Sequence, residues 1–319
     1  MNHSWMELEV VAREELATDI VGLVLADPAG QELPPFSAGS HIDVEIAPDL
    51  IRQYSLCNTP QDRTRYEIAV LKDPASRGGS VKLHEALTEG VRVRVSEPRN
   101  HFALEHSDAK AILLGGGIGV TPLLCMAERL GVMGAPFELH YCTRSPDRTA
   151  FRDRIARAVY ADNVHFHYDD GAPAQLLDPA ALFAGAARAS HVYVCGPAGF
   201  IDWIYGAAEK AGFPQKQIHR EYFTAAPVVV PEGGEGAFEI QIASTGAVYA
   251  VPADKSVAQV LEENGIGVPI SCEQGVCGTC ITRVLQGEPD HRDMLALDGN
   301  AEFTPCCSRS FTPMLVLDL

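Results

Sequence analysis

The sequence predicts a multidomain protein: an antiparallel β-barrel, then an α/β doubly wound parallel sheet, then a smaller α+β module. Three changes of texture predict it. Residues 1–104 are short strand-like runs broken by Pro and Gly, and residues 105–225 alternate strand with helix. After a Pro/Gly-rich stretch at 226–236, five of the nine cysteines crowd the last 48 residues, within a module at 237–319. A chain of 319 residues is long enough for two or three domains. Its 46% hydrophobic and 21% charged content is that of a chain able to bury cores, not of a disordered one.

In the first segment, strands are expected at 7–16, 20–27, 40–46, 51–58, 65–72 and 92–97. His41-Ile42-Asp43-Val44-Glu45-Ile46 alternates strictly, the period of a half-buried strand. Pro28-Ala29-Gly30, Pro34-Pro35 and Ser76-Arg77-Gly78-Gly79-Ser80 separate the runs, and only 81–87 reads as helix. Many short strands at regular spacing suggest a small barrel. In the second segment, strands at 111–114, 137–142, 164–168 and 191–195 alternate with helices at 121–130, 149–160, 179–188 and 199–211, the pattern of a parallel sheet. The stretch 226–236 has two prolines, three glycines and no periodicity, and reads as an exposed tether. Beyond it come a hairpin (238–244 and 248–251, turning at Thr245-Gly246), a helix capped by Ser256, the cysteines, and a buried strand at 314–319.

A net charge of −17 argues against nucleic acid and against docking on an anionic membrane. It can steer a basic protein partner. No run approaches the ~18 apolar residues of a membrane span, and Met1–Glu7 lacks the basic start and apolar stretch of a signal peptide. Nine cysteines without an export signal point to a reducing compartment, the cytoplasm, where metal and redox roles outrank disulfides.

Cys272-x4-Cys277-x2-Cys280, with Cys306 further on, is the plant-type spacing for a [2Fe–2S] cluster. Two irons bridged by two sulfides need four thiolates and a loop that wraps closely, and Gly275 and Gly278 let its backbone approach and donate N–H groups. A zinc site would more naturally show two Cys-x2-Cys pairs, and only one is present. Cys306 and Cys307 are adjacent, so either could be the fourth ligand.

Ala111-Ile112-Leu113-Leu114 runs into Gly115-Gly116-Gly117-Ile118-Gly119-Val120-Thr121-Pro122 and then a helix. Glycines let the backbone approach a diphosphate, and free N–H groups at a helix start favour its charge. Thr121 could cap that helix and Pro122 fits its first turn. The run does not meet the G-x-G-x-x-G register, so alone it is equally a tight structural turn. Cys195-Gly196-Pro197 follows an apolar strand, and alone reads as a buried strand end beside a turn. In Arg52-Gln53-Tyr54-Ser55-Leu56, alternation puts Arg52, Tyr54 and Leu56 on one face, and alone this is an ordinary barrel strand. Arg77-Gly78-Gly79-Ser80 offers successive N–H groups ahead of a helix, an anion nest.

Taken together and in this order, these stretches resemble the phthalate dioxygenase reductase family, in its vanillate demethylase reductase-like form, over nearly the whole chain. The resemblance implies a flavin-binding barrel, a nicotinamide-binding sheet and a β-grasp ferredoxin domain. It implies that Arg52 meets the flavin phosphate, that Tyr54 packs on the flavin and that Ser55 approaches its ring nitrogen. Arg77, Gly78, Gly79 and Ser80 would hold the phosphate. Gly115, Gly116, Gly117, Gly119, Thr121 and Pro122 would form the nicotinamide turn. Cys195, with Gly196 and Pro197, would lie beside the reactive carbon, and Phe223 of Arg220-Glu221-Tyr222-Phe223 over the isoalloxazine ring, where a core aromatic is the plainer alternative. The Cys-Cys-Ser-Arg sequence fits Cys306 as the fourth ligand, with Cys307 as the fallback.

The expected activity is electron transfer from NADH through FMN and a [2Fe–2S] cluster to a terminal oxygenase or demethylase of the Rieske type, in aromatic compound catabolism, by a monomer. FMN over FAD rests on the resemblance. NADPH is the alternative donor, because Thr143-Arg144-Ser145 replaces an acidic residue and Arg144 and Arg148 could meet a 2′-phosphate. The alternatives are a reductase for a cytochrome P450 or ferric acceptor, or a standalone electron carrier, which would need no nicotinamide site. His165 and His167 lie on one strand face and could ligate a metal, but no third ligand is apparent. Asp169-Asp170 and Glu262-Glu263 read as solvated ends of elements, and no Ser/His/Asp constellation is legible.

Overall fold

The computed structural model describes residues 5–48, 50–73, 78–105, 107–223, 236–295, 297 and 299–319. Arg77 and positions 226–235 of the expected tether lie outside them. The chain divides into two compact units, Ser4–Phe223 and one that comprises Thr224–Leu319.

The first unit begins with six strands, β1 (Trp5–Ala17), β2 (Ile20–Ala26), β3 (His41–Ala47), β4 (Leu50–Ser55), β5 (Arg65–Leu71) and β6 (Arg92–Ser96), with helix α1 (Gly79–Ala86) before the last. They pair antiparallel in the order β4-β3-β6-β1-β2-β5. Alternation along β2 sends Val21, Leu23 and Leu25 into a core with Ile42, Val44 and Ile68, as the period of two requires. The two end strands meet just beyond β4. Cys57 N–H donates to the Glu67 carbonyl (2.9 Å). The Asn58 amide accepts from Glu67 N–H (3.0 Å) and donates to the Arg65 carbonyl (3.1 Å), standing in for a ladder rung and closing the barrel.

The same unit continues with β7 (Ala111–Gly116), α2 (Val120–Met133), β8 (Phe137–Thr143), α3 (Arg152–Ala156), β9 (Val164–Tyr168), α4 (Pro179–Gly185), β10 (His191–Cys195), α5 (Ala198–Lys210) and β11 (Ile218–Glu221). All five strands are parallel, in the order β11-β10-β7-β8-β9. The order reverses between β7 and β10, and a crevice at the carboxyl ends of such a pair is where open α/β sheets bind ligands. Barrel and sheet share a core in which Ile20, Ala69 and Phe102 pack with Leu113, Leu123 and Tyr141. Arg154 ties them further, reaching Glu67 (3.0 Å) and the Cys57 carbonyl (3.0 Å) on one side and Glu128 (3.0 Å) on the other.

Two expectations change here. The helix expected at 149–160 shrinks to α3, because Phe151 takes a left-handed conformation (φ 63°) and Thr149 is held to Thr143 by a 2.6 Å hydroxyl contact. Strand β11, absent from the expectation, has one core apolar residue, Ile218, and is recruited by pairing along β10.

The second unit contains β12 (Phe238–Ile242), β13 (Val248–Val251), α6 (Val257–Glu263), β14 (Thr282–Gln286), β15 (Pro289–Asp290), β16 (Glu302–Phe303), β17 (Arg309–Ser310) and β18 (Met314–Leu317). The main sheet runs β13-β12-β18-β14-β16, with β12 and β18 parallel, and β15 pairs β17. Helix α6 packs Val257, Val260 and Leu261 onto it. Its start is a full capping box: Ser256 Oγ accepts from Gln259 N–H (3.2 Å) and Gln259 accepts from Ser256 N–H (2.9 Å). This mixed sheet grasping one helix is the β-grasp form expected for the cysteine-bearing module.

Candidate functional site

In the barrel, β4 carries Arg52 to the start of α1 and Tyr54 onto the barrel core, with Ser55 on the opposite strand face. Gly78 enters that helix with φ 82°, open only to a residue without a side chain at little cost. A Cβ on Gly79 would fall 2.7 Å from Arg52 Nε, so the glycine leaves room for the arginine to lie against the helix start. A guanidinium beside the unpaired N–H groups of a helix N-terminus suits a phosphate. Ser80 exchanges hydrogen bonds with the Asp73 backbone. Burial pushes the Tyr54 hydroxyl up, against the pull of Arg52, so it stays a donor. Its ring packs half-buried on the barrel core.

In the sheet, β7 ends in Gly115-Gly116 and leads through a 3-10 turn, Gly117–Gly119, into α2. The glycines have different causes. A Cβ on Gly119 would fall 2.3 Å from the Cys195 carbonyl oxygen, and one on Gly196 would fall 3.0 Å from Gly116 Cα. These residues let the turn after β7 interlock with the Cys195-Gly196-Pro197 turn after β10. Gly117 has φ 55° and open space where its Cβ would be, which makes it the glycine free to face a ligand. Thr121 does not cap α2 as expected. It sits inside the first turn and donates to the Ile118 carbonyl (3.0 Å), with Pro122 next to it. Pro197 precedes the first residue of α5.

Ser55, from the barrel, and Cys195, from the sheet, meet at a residue the sequence reading passed over. Ser55 Oγ donates to Glu221 Oε2 (3.3 Å), and Cys195 Sγ lies 3.9 Å from the same oxygen. Ser55 is 5% exposed and Cys195 fully buried, so the carboxyl end of Glu221 is enclosed although the residue as a whole is only half-buried. Burial pushes this carboxyl up to about 8, against the two hydrogen bonds. Burial and Glu221 together push the Cys195 thiol well up, so it remains a thiol. Phe223 follows two residues later and is 40% exposed, not the core aromatic that was its plainer alternative. Near the end of β8, Arg144 is exposed, whereas Arg148 pairs with Asp19 (3.5 Å).

In the second unit, Cys272 engages Cys277 and Cys306, and Cys280 Sγ lies 3.3 Å from Cys306 Sγ. Four sulfurs therefore converge. Gln274 N–H points at Cys272 Sγ (3.3 Å) and Thr279 N–H at Cys277 Sγ (3.4 Å), the donor pattern that holds thiolate ligands. Glu273, Gly275 and Gly278 all have positive φ (57°, 69° and 68°), which turns the loop round the sulfurs. Among the described residues, Cys307 touches Cys306 but none of the other three converging sulfurs. Its sulfur contacts Thr304 Oγ1 (3.2 Å), whose hydroxyl donates to Asp293, and occupies the space where Gly275 would carry a Cβ. All nine cysteines are free thiols. Arg309, buried beside these residues, donates to the carbonyls of Gly236, Pro252 and Lys255 and stacks on Phe238. The donor set and the glycine cradle fit an iron–sulfur cluster, and the Arg52–α1 pocket fits a flavin phosphate.

Residues 240–310 match the family of 2Fe-2S iron-sulfur cluster binding domains. The chain is 51% identical over 318 residues to vanillate O-demethylase oxidoreductase of Pseudomonas sp. (strain HR199 / DSM 7063), covering 98% of this chain and 100% of that protein. It is 38% identical to phthalate dioxygenase reductase of Burkholderia cepacia, covering 99% and 98%. Among solved structures, phthalate dioxygenase reductase, described as a modular structure for electron transfer from pyridine nucleotides to [2Fe-2S], superposes with a TM-score of 0.73 at 38% identity, over 99% of this chain and 98% of that one. An intact type IV self-sufficient cytochrome P450 monooxygenase matches with a TM-score of 0.90 at 36% identity, over 99% of this chain and 41% of that one.

Proposed function

The chain belongs to the phthalate dioxygenase reductase family, and from that premise we propose that it is the reductase component of an oxygenase or demethylase system. It passes electrons from NADH through FMN and a [2Fe–2S] cluster to a Rieske-type terminal component. The observation that carries this reading is the meeting of Ser55 and Cys195 at Glu221, which joins the flavin strand to the nicotinamide loop within one unit. A standalone electron carrier has no use for that junction.

We assign residues 1–104 to flavin binding, 105–225 to nicotinamide binding, 226–236 to a linker and 237–319 to the cluster. Arg52 and the start of α1 hold the flavin phosphate, with Gly78, Gly79 and Ser80 giving it access. Tyr54 packs on the flavin, and Ser55 presents its hydroxyl at the ring. Gly117 opens the turn after β7 to the nicotinamide diphosphate, and Gly116, Gly119, Gly196 and Pro197 keep the two turns interlocked round it. Cys195, an uncharged thiol, packs beside the nicotinamide without offering a competing negative charge. Glu221, neutral at pH 7, holds a proton at the junction and keeps Ser55 in place. Cys272, Cys277, Cys280 and Cys306 ligate the irons. When bound, FMN converts a two-electron hydride into single electrons, which the cluster can carry. With Arg148 paired to Asp19, one arginine suited to a 2′-phosphate is already engaged, which favours NADH. We place it as a monomer in the reducing cytoplasm, with which nine cysteines outside disulfides are compatible.

The purified protein should hold one flavin and two irons per chain, and phosphodiesterase-insensitive release of FMN is the expected result. Recovery of FAD would overturn the flavin assignment. NADH-driven reduction of a Rieske-type oxygenase component, compared with that of a cytochrome P450, tests the acceptor. The match to a P450 monooxygenase makes that second acceptor the specific rival, and faster reduction of the P450 would install it.

A further inference from the structure

Strands β8 and β9 turn a polar face outward at the edge of the parallel sheet. Glu138 and His140 are two apart on β8, and His165 and His167 are two apart on β9, with His140 directly opposite His165. Period-two alternation therefore puts all four side chains on one face. The His140 ring lies between the other two imidazoles, with centroids 4.9 Å from His165 and 5.3 Å from His167. His140 is 8% exposed, whereas His165 is exposed.

The hydrogen bonds fix which nitrogen of His140 is available. The Gln175 carbonyl can only accept, so His167 Nδ1 donates to it (2.8 Å). In a neutral ring His167 Nε2 then accepts, and the donor is His140 Nδ1 (3.0 Å). That leaves His140 Nε2 with a buried lone pair, no hydrogen-bond partner among the described residues, and a carboxylate oxygen of Glu138 3.9 Å away. A metal ion between them would satisfy the nitrogen and share the carboxylate oxygen with Lys110, which lies 2.8 Å from it. One ligand atom each from Glu138, His140 and His165 already lie within 4.8 Å of one another. Two imidazoles, one carboxylate and an open position are a zinc donor set, and a carbonyl-anchored imidazole behind a ligand is the usual outer support of such a site.

We propose that Glu138, His140 and His165 bind one Zn²⁺ ion, with His167 positioning His140. The site is separate from the flavin, nicotinamide and cluster residues and does not depend on their assignment. Closing round an ion with bonds of ~2.0–2.2 Å requires the exposed His165 ring and Glu138 to move inward. Glu138 Oε2, the oxygen that faces His140, is also held by Lys110 (2.8 Å), so Glu138 meets the metal through that shared oxygen or by turning Oε1 inward.

The test is zinc content and zinc X-ray absorption of the flavin- and cluster-loaded protein after dialysis against Zn²⁺. One zinc with only nitrogen and oxygen neighbours is expected. His165→Gln, at an exposed position, should lose it while retaining flavin and cluster. His167→Ala should weaken binding by about ten- to hundred-fold, the usual effect of removing a supporting residue. Failure of the loaded protein to hold zinc, sulfur in the first coordination shell, or an unchanged zinc content in His165→Gln would overturn the proposal. The last outcome keeps its meaning even if a buried His140→Gln variant failed to fold.

Discussion

Adjacent thiols can be sorted by what surrounds them. Cys306 reaches Cys280 and Cys272, whereas Cys307 touches Cys306, bonds Thr304 and packs on Gly275. Cys306→Ser should therefore lose iron and visible cluster absorbance, and Cys307→Ser should keep both. Iron loss confined to the Cys307 variant would reverse the assignment. The spacing of Cys272, Cys277 and Cys280 was legible in the sequence because ligand spacing is local. Spacing alone leaves Cys306 and Cys307 open, and only the family resemblance favours Cys306, because what separates them is contact with Cys272, Cys280 and Thr304 across the loop. Glu221 was missed for a similar reason: a lone acid in an unrecognised edge strand carries no periodic signal, although it stood two residues before Phe223. Its effect on stability has a definite sign. A carboxyl raised from 4.5 to about 8 in the folded state stabilises fully below the unfolded value, and that contribution is lost as pH rises through about 8. Glu221→Gln, which mimics the protonated form, should unfold at the same denaturant concentration as the parent near pH 4.5 and at a higher one at pH 9. Parallel pH profiles for the two proteins would remove the buried, neutral carboxyl.

Among the elements, the helix start of α1 and strand β4 act as one device, and two substitutions probe it from opposite sides. With Arg52 on the flavin phosphate as proposed, Arg52→Ala should remove a charge-assisted contact worth about 1.5–3 kcal/mol, or about ten- to hundred-fold in FMN affinity. Gly79→Ala leaves the arginine in place but puts a methyl group 2.7 Å from its Nε. Because a flexible side chain can swing away, the variant should fold with near-parent stability and still lose flavin on dialysis. Retention of flavin by both would return Arg52 to an ordinary barrel position. The six barrel strands and four of the five parallel strands were legible because each is a short run of alternating or continuous apolar residues, or is bounded by turn residues. The exceptions depend on neighbours. Strand β11 exists by pairing with β10, and α3 is shortened by one left-handed residue, Phe151. The glycine turn was legible as a motif, but not the division of labour within it, since Gly119 answers to a carbonyl 76 positions later in the chain.

At the scale of the whole molecule, charge is unevenly placed, and mechanism says where that should matter. Residues 234–319 carry twelve Asp/Glu against four Lys/Arg, net −8 of the chain's −17. Glu273, exposed and left-handed, directly follows Cys272, so part of this charge borders the cluster loop. A small module has proportionally more surface and so more charge, and that alone would give an acidic domain without a purpose. Electrons, however, leave from the cluster, and an acceptor must approach it closely. A partner with a basic patch would then be drawn in by opposite fields, which raise the association rate and are screened over ~8 Å at physiological ionic strength. Electron transfer to the partner should slow as salt rises from about 20 to about 300 mM, across which the screening length falls through ~10 Å. Reduction of the flavin by NADH should change much less, because the proposed site for that chemistry lies within one unit, between β4 and the turns after β7 and β10. Stopped-flow measurement of both steps in one salt series separates them. Partner reduction that ignores salt, or accelerates with it, would point instead to an apolar contact, for which Phe311 and Leu285, 70% and 49% exposed on the same unit, are two anchors among the described residues.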